Sequence, residues 1–349
     1  MKILVISDSF KGSLSSNEIG NIIKSELKEH DVDIIPISDG GEGFIESINS
    51  FLELEKIIVN TYDAILREIE VEYAVCKTRA FIELAKVCGL SLLEDEKRNP
   101  LYTTTYGLGI VIKDAINKGY KDIYLGIGGS STNDLGIGLL TALGLYTNNQ
   151  ALNNNDLKDI ISINNMELNE SLKNIRITIL SDVDNILLGE NGATYTFALQ
   201  KGALDLNILE NNIKSFINLI NDNNYPYKKG AGASGGVGYG LMKFVNAKLI
   251  LGIDFILDNI DYQNLQNKYD YIITGEGRID EQTRYGKVVS GIIKKTMNKN
   301  KVIVISGVNN LDNGLGVKTY SVVPEICSYS ESIEEPEHNL RKLIKKIKL

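Results

Sequence analysis

Histidine is nearly missing from this chain: 349 residues hold only His30 and His338, both in charged segments. Acid–base chemistry built on imidazole, or a His-rich metal centre, is thereby disfavoured. Cysteine is scarce as well. Cys76, Cys88 and Cys327 lie far apart and form no C-x-x-C. That argues against a disulfide framework or a structural zinc site, and it fits a reducing, cytoplasmic setting. No stretch approaches the roughly 18 uninterrupted apolar residues of a membrane-spanning helix, and the run from Lys2 to Ile6 is too short for the apolar part of a signal peptide. Basic excess is also lacking. Lys and Arg number 37 against 45 Asp and Glu, a net charge of −8, which argues against nucleic-acid and anionic-membrane partners. Two nucleotide-binding signatures fail too: there is no G-x-x-x-x-G-K-[ST], and the first apolar run does not lead into G-x-G-x-x-G.

What is present is a chain long enough for two domains, with a 43% hydrophobic fraction sufficient for real cores. Short β-branched-rich runs at 4–6, 34–37, 123–127, 177–180, 271–273, 302–305 and 320–323 read as strands. Helical periods lie between several of them. The segment from Ser15 to Leu27 opens on the capping-box spacing Ser15-x-x-Glu18 and sets Ile19, Ile22, Ile23 and Leu27 on one face. Similar patterns run over 105–117, 134–143 and 283–297, whereas 147–174, rich in Asn and Asp, reads as irregular surface structure. Strands alternating with helices predict an α/β fold with a mainly parallel sheet. The first and last strands share one style and are expected to build one sheet. This gives a discontinuous α/β domain over 1–75 and 265–349, with an inserted α/β domain over 76–264 and a ligand cleft between them.

Four turns carry the chemistry. They are Ser7-Asp8-Ser9-Phe10-Lys11-Gly12-Ser13, Ser38-Asp39-Gly40-Gly41-Glu42-Gly43, Gly128-Gly129-Ser130-Ser131-Thr132-Asn133-Asp134 and Thr274-Gly275-Glu276-Gly277-Arg278-Ile279-Asp280. A strand that stops at glycine and becomes helix leaves N–H groups facing outward, a geometry that accepts anions. Carboxylates beside a phosphate repel it unless a cation lies between, so acid-bearing anion turns point to phosphate with Mg²⁺ and to phosphoryl transfer. Ser181-Asp182-Val183-Asp184 offers two more acids, for a metal or for an attacking hydroxyl's proton. The Gly230–Gly238 stretch, with Gly235 and Gly236, reads as an anion-cradling loop, and Lys201 and Lys287 supply cations. Each has a plainer reading as a cap, an Asx turn or a solvated charge.

Taken in order, D-S-F-K-G-S, D-G-G-E-G, T-T-T-Y-G at 103–107, G-I-G-G-S-S-T-N-D, D-V-D-N, Q-K-G-A, G-A-S-G-G and T-G-E-G-R-I-D-x-Q-T resemble the type 1 glycerate kinase family, from Lys2 to about Gly307. The resemblance implies two α/β domains, one flavodoxin-like with a mainly parallel sheet and a second, smaller one. It also implies ATP-dependent phosphorylation of D-glycerate, with 2-phosphoglycerate the usual bacterial product. Departures occur at Thr61–Arg67, at Phe197-Ala198-Leu199 before Gln200, and at Glu281.

On this reading Lys11 and the 128–134 turn contact phosphate or the substrate carboxylate, and Arg278 stabilises developing charge. Asp182, with Asp184 or Asp39, handles metal or proton. The binding set is Asp8, Ser9, Gly40, Gly41, Gly128, Gly129, Ser130, Thr132, Asn133, Lys201, Gly235, Gly236 and Lys287; the metal set is Asp39, Glu42, Asp184 and Glu276. ATP and Mg²⁺ are the expected cofactors and D-glycerate the partner, for a cytoplasmic monomer or homodimer. The rivals are a kinase for another small hydroxy acid, a dehydrogenase using the 230–238 glycines, and a non-enzymatic sugar-phosphate sensor.

Overall fold

The computed structural model describes all residues except Lys11, Asp39, Glu42, 285–287, Asp312 and Asn313, and the side chains of Gln282 and Arg284. Among the described residues the strands are β1 (Lys2–Val5), β2 (Asp31–Ile34), β3 (Glu55–Tyr62), β4 (Glu68–Cys76), β5 (Arg79–Glu83), β6 (Asp122–Gly126), β7 (Tyr146–Thr147), β8 (Ile163–Asn164), β9 (Arg176–Leu180), β10 (Lys248–Ile250), β11 (Tyr271–Ile279), β12 (Val302–Asn309) and β13 (Lys318–Ser321). The chain divides into two compact units. One comprises Met1–Asp39, Glu46–Leu52 and Leu251–Leu349; the other comprises Gly40–Ile45 and Glu53–Ile250 and is the larger.

The first unit holds a five-stranded sheet in the order β2-β1-β11-β12-β13, every neighbour parallel. Counted by appearance within the unit, that is second, first, third, fourth, fifth, the flavodoxin-like order. Ile3, Leu4, Val5, Ile272, Ile273 and Val302 to Ile305 are buried, as expected of parallel strands covered on both faces. The crossover from β1 to β2 is the helix Ser16–Glu26, opened by the expected capping box: the Glu18 amide donates to Ser15 Oγ at 3.2 Å and the Ser15 amide to Glu18 Oε2 at 2.8 Å. Its buried face is Ile19, Ile22 and Ile23, each worth roughly 1.5–3 kcal/mol of apolar burial.

Two strands differ from the sequence reading. β2 pairs over Asp31–Ile34 rather than 34–37, because Val32 enters the core beside Ile3 and the Ile37 amide donates instead to Ser16 Oγ at 3.1 Å. β11 does not stop at Ile273 to form a turn. Its ladder with β12 runs on through Glu276↔Ser306 to Ile279↔Asn309, so the Gly275–Ile279 motif is strand.

The second unit holds a mixed sheet, β10-β9-β6-β5-β4-β3, parallel from β10 to β5 and antiparallel from β5 to β3. A division at 75/76 would fall inside β4, which pairs with both β3 and β5; the contacts instead place 53–75 with this sheet. Helices Tyr106–Asn117, Leu206–Leu219 and Ala233–Phe244 contribute Leu108, Val111, Ile112, Phe216 and Leu241 to its core. The 147–174 stretch is irregular as expected, with β7, β8, a 3-10 turn and one short helix.

Candidate active site

Candidate functional side chains cluster in each unit. In the first, β1 and β11 mark the point where strand order reverses, where ligands of open parallel sheets bind beyond the strand ends. A cavity of about 260 Å³ opens there, lined in part by Asp8, Ser9, Glu276 and Arg278. The Asp8 amide donates to Gly275 O at 2.9 Å, and the Ser9 amide caps Asp8 Oδ1 at 2.7 Å. Glu276 is buried and accepts a short hydrogen bond from Thr283 Oγ1, which itself accepts from the Asp280 amide at 3.1 Å. Arg278 is exposed and forms no ion pair among the described residues. Among the described residues Thr274 Oγ1 and Ser306 Oγ are buried without a hydrogen-bond partner; Thr274 lies two positions from Glu276 on β11, and Ser306 is paired with Glu276 across the ladder.

In the second unit the 128–134 turn follows β6. Its backbone is clamped from below: Ser131 donates through its amide and its hydroxyl to Cys88 O, both at 2.9 Å, and Thr103 Oγ1 donates to Ser131 O at 2.9 Å. Backbone loops stack closely here. A Cβ on Gly128 would lie 2.6 Å from Gly41 Cα, and one on Gly235 would lie 2.1 Å from Thr132 O. Only glycine fits at such approaches, so these glycines serve loop-on-loop packing beneath the turn.

Lys201 ends inside this stack. It is 4% exposed, and its Nζ donates to Ser130 Oγ at 2.8 Å and Thr132 O at 2.7 Å. Burial pulls its pKa down to about 8, against the opposing pull of Asp134. Thr132 Oγ1 beside it is buried and has no hydrogen-bond partner among the described residues. Asp134 is buried too, and accepts from Thr105 N at 2.9 Å, Thr105 Oγ1 at 2.7 Å and Gly136 N at 3.1 Å. Burial raises its pKa while those bonds pull it back. A buried lysine and an orphaned hydroxyl in a glycine-rich turn form a donor set suited to an anion.

The glycerate kinase family model matches residues 3–349. The chain belongs to the glycerate kinase family. It is 35% identical to a glycerate kinase of Halalkalibacterium halodurans, over 99% of this chain and 97% of that one. It is 34% identical to the glycerate 2-kinase of Escherichia coli, over 95% and 91%. A crystal structure described as a glycerate kinase 2 from Salmonella typhimurium LT2 superposes with a TM-score of 0.79 at 32% identity, covering 99% of this chain and 96% of that one.

The expected residues of this glycerate kinase family member divide between the two units. Asp8, Ser9, Glu276 and Arg278 share the cavity of the first unit. Ser130, Thr132, Asn133, Gly128, Gly129, Gly235, Gly236 and Lys201 meet in the second, where Asn133 Nδ2 donates to Thr194 Oγ1 at 3.2 Å. Gly40 and Gly41 pack beneath them, Gly40 O accepting from the Gly128 amide at 3.1 Å. Lys11, Asp39, Glu42 and Lys287 lie outside the described residues.

Asp182 follows β9 and is half-buried. Asp184 is exposed and ion-paired with Lys229 at 3.2 Å. Asp184 and Glu276 sit in different units, and among the described residues no three His, Cys, Asp or Glu gather as a metal cage. Mg²⁺ in kinases is commonly held by one or two carboxylates together with the nucleotide phosphates, and Asp8 and Glu276, on one cavity of the first unit, have the right donor chemistry for it.

Two structural features escaped the sequence reading. Asp134 ties together the starts of helices Tyr106–Asn117 and Ile137–Ala142, since Thr105 Oγ1 in turn accepts from the Leu139 amide at 3.0 Å. The cavity also has an apolar wall, from Phe10, Val322, Tyr329 and Ile333. The Tyr329-x-x-x-Ile333 spacing was its only sequence signal.

Proposed function

We propose that this chain transfers the γ-phosphoryl group of Mg²⁺–ATP to the 2-hydroxyl of D-glycerate, and that its two compact units are the two domains of that enzyme. Family membership supports the phosphoryl transfer. The observation that carries the acceptor class is Lys201, buried with Ser130 and Thr132: a fixed cation in a polar turn suits a small carboxylate or phosphate. The 2-hydroxyl is the acceptor named for the Escherichia coli relative. Cytoplasmic residence is proposed on three free thiols, Cys76, Cys88 and Cys327. No described helix is long and apolar enough to cross a membrane.

In the reaction the glycerate oxygen attacks the γ-phosphorus, the bond to the ADP oxygen breaks, and the hydroxyl proton passes to a carboxylate. Asp182 takes that proton. Arg278 and Lys11 offset charge on the transferred group, and Mg²⁺, when bound with the nucleotide, would neutralise charge on the phosphates. Replacing Asp182 by Asn should lower kcat by roughly 10²–10⁴, the usual worth of a positioned base, with an unchanged circular dichroism spectrum. A variant within about twofold of the parent would remove Asp182 from the chemistry.

A further inference from the structure

We infer that the cavity beyond β1 and β11 in the first unit receives the nucleoside end of the phosphoryl donor, with Tyr329 and Ile333 as the platform for the purine. The inference rests on the kinase reading and adds to it the seat of the base. Its first ground is position: the cavity sits at the reversal of strand order.

The second ground is the character of its walls. One side is polar, with Asp8, Ser9 and Arg278; the other is apolar, with Phe10, Val322, Tyr329 and Ile333. Glycerate carries a carboxylate and two hydroxyls on three carbons and has no face to cover an apolar wall. A purine has two such faces and a polar edge, and beyond it ribose and phosphate would meet the polar side, where exposed Arg278 offers a charge with no ion pair among the described residues.

The third ground is exposure. Tyr329 and Ile333 are 55% and 50% exposed although they line a cavity. They stand one helical turn apart on Tyr329–Glu334, so they share a face. Phe10 and Val322, in the same cavity, are 5% and 3% exposed and belong to the core. The exposed pair thus forms an apolar shelf backed by a packed wall, which a stacked base would cover.

The test uses the full chain with a fluorescent N-methylanthraniloyl ADP as probe, without glycerate, alongside steady-state kinetics. The double variant Tyr329→Ala/Ile333→Ser changes only half-exposed side chains and should fold. Loss of stacking weakens probe binding and raises KM for ATP about tenfold or more, while KM for glycerate stays within about twofold. Unchanged probe affinity, or a rise confined to KM for glycerate, would overturn the assignment. So would failure of the probe to bind the parent chain. Probe binding lost in the double variant, in a chain that does not phosphorylate glycerate, would keep the nucleoside seat and remove the acceptor.

Discussion

At the scale of single residues Lys201 decides most. The sequence marks Lys201 in Gln200-Lys201-Gly202 as a candidate cation but offers no reason to bury it. Its acceptors Ser130 and Thr132 lie far upstream, and only the fold joins them. Its lowered pKa has a consequence with a definite sign. Below about pH 8 the folded protein carries a buried ammonium at a cost in stability, and that cost is relieved as pH rises from about 8 towards the ordinary lysine value of 10.5. On the proposed anion-binding role of Lys201, activity runs the other way, because the charge that would attract the anion is lost over the same range. We expect kcat/KM for glycerate to fall above about pH 8, and Lys201→Met to lower it roughly 10- to 100-fold and abolish that limb. Rate profiles on both proteins check this; an identical limb in the variant would assign it to another group. Asp8, Glu276 and Arg278 stand out in the sequence because acids and glycines follow apolar runs there, and the structure places all three on one cavity. The Tyr329 and Ile333 wall was not, because an apolar pair on a short helix looks like core until its exposure is seen.

At the scale of elements, local rules worked where the determinants are local. The Ser15–Glu18 capping box opens the helix where the sequence places it, and the apolar runs of β1, β6, β9 and β12 are strands. The β3–β4 hairpin was missed because its half-exposed strands alternate apolar with charged residues, as in Glu68-Ile69-Glu70-Val71-Glu72-Tyr73, rather than forming a continuous apolar run. The extension of β11 depends on a partner strand and is invisible in its own sequence. Asp134 belongs to this scale as well. In the sequence it reads as a cap three residues after Ser131, and in the structure it joins two helix starts by accepting from Thr105 and Gly136. Asp134→Ala leaves those buried donors without an acceptor and should cost on the order of 2–4 kcal/mol of unfolding free energy, read by urea denaturation. A loss under about 0.5 kcal/mol would mean that the helix starts hold without it.

At the scale of the whole molecule, two sheets of different construction define two units: a five-stranded parallel sheet with strand reversal at β1 and β11, and a six-stranded mixed sheet. The alternation of strands and helices made the α/β character plain. The extent of each unit was harder to read, because membership of β3 and β4 is set by long-range pairing. Family membership spans the chain, and each unit contributes acids, hydroxyls and a cation to its own cluster. The most direct test of the account is ADP release from Mg²⁺–ATP with D-glycerate, with the product resolved by phosphorus NMR. Mg²⁺-dependent release should be matched one for one by 2-phosphoglycerate. A folded, nucleotide-binding protein that leaves glycerate unphosphorylated, or yields 3-phosphoglycerate, would contradict it.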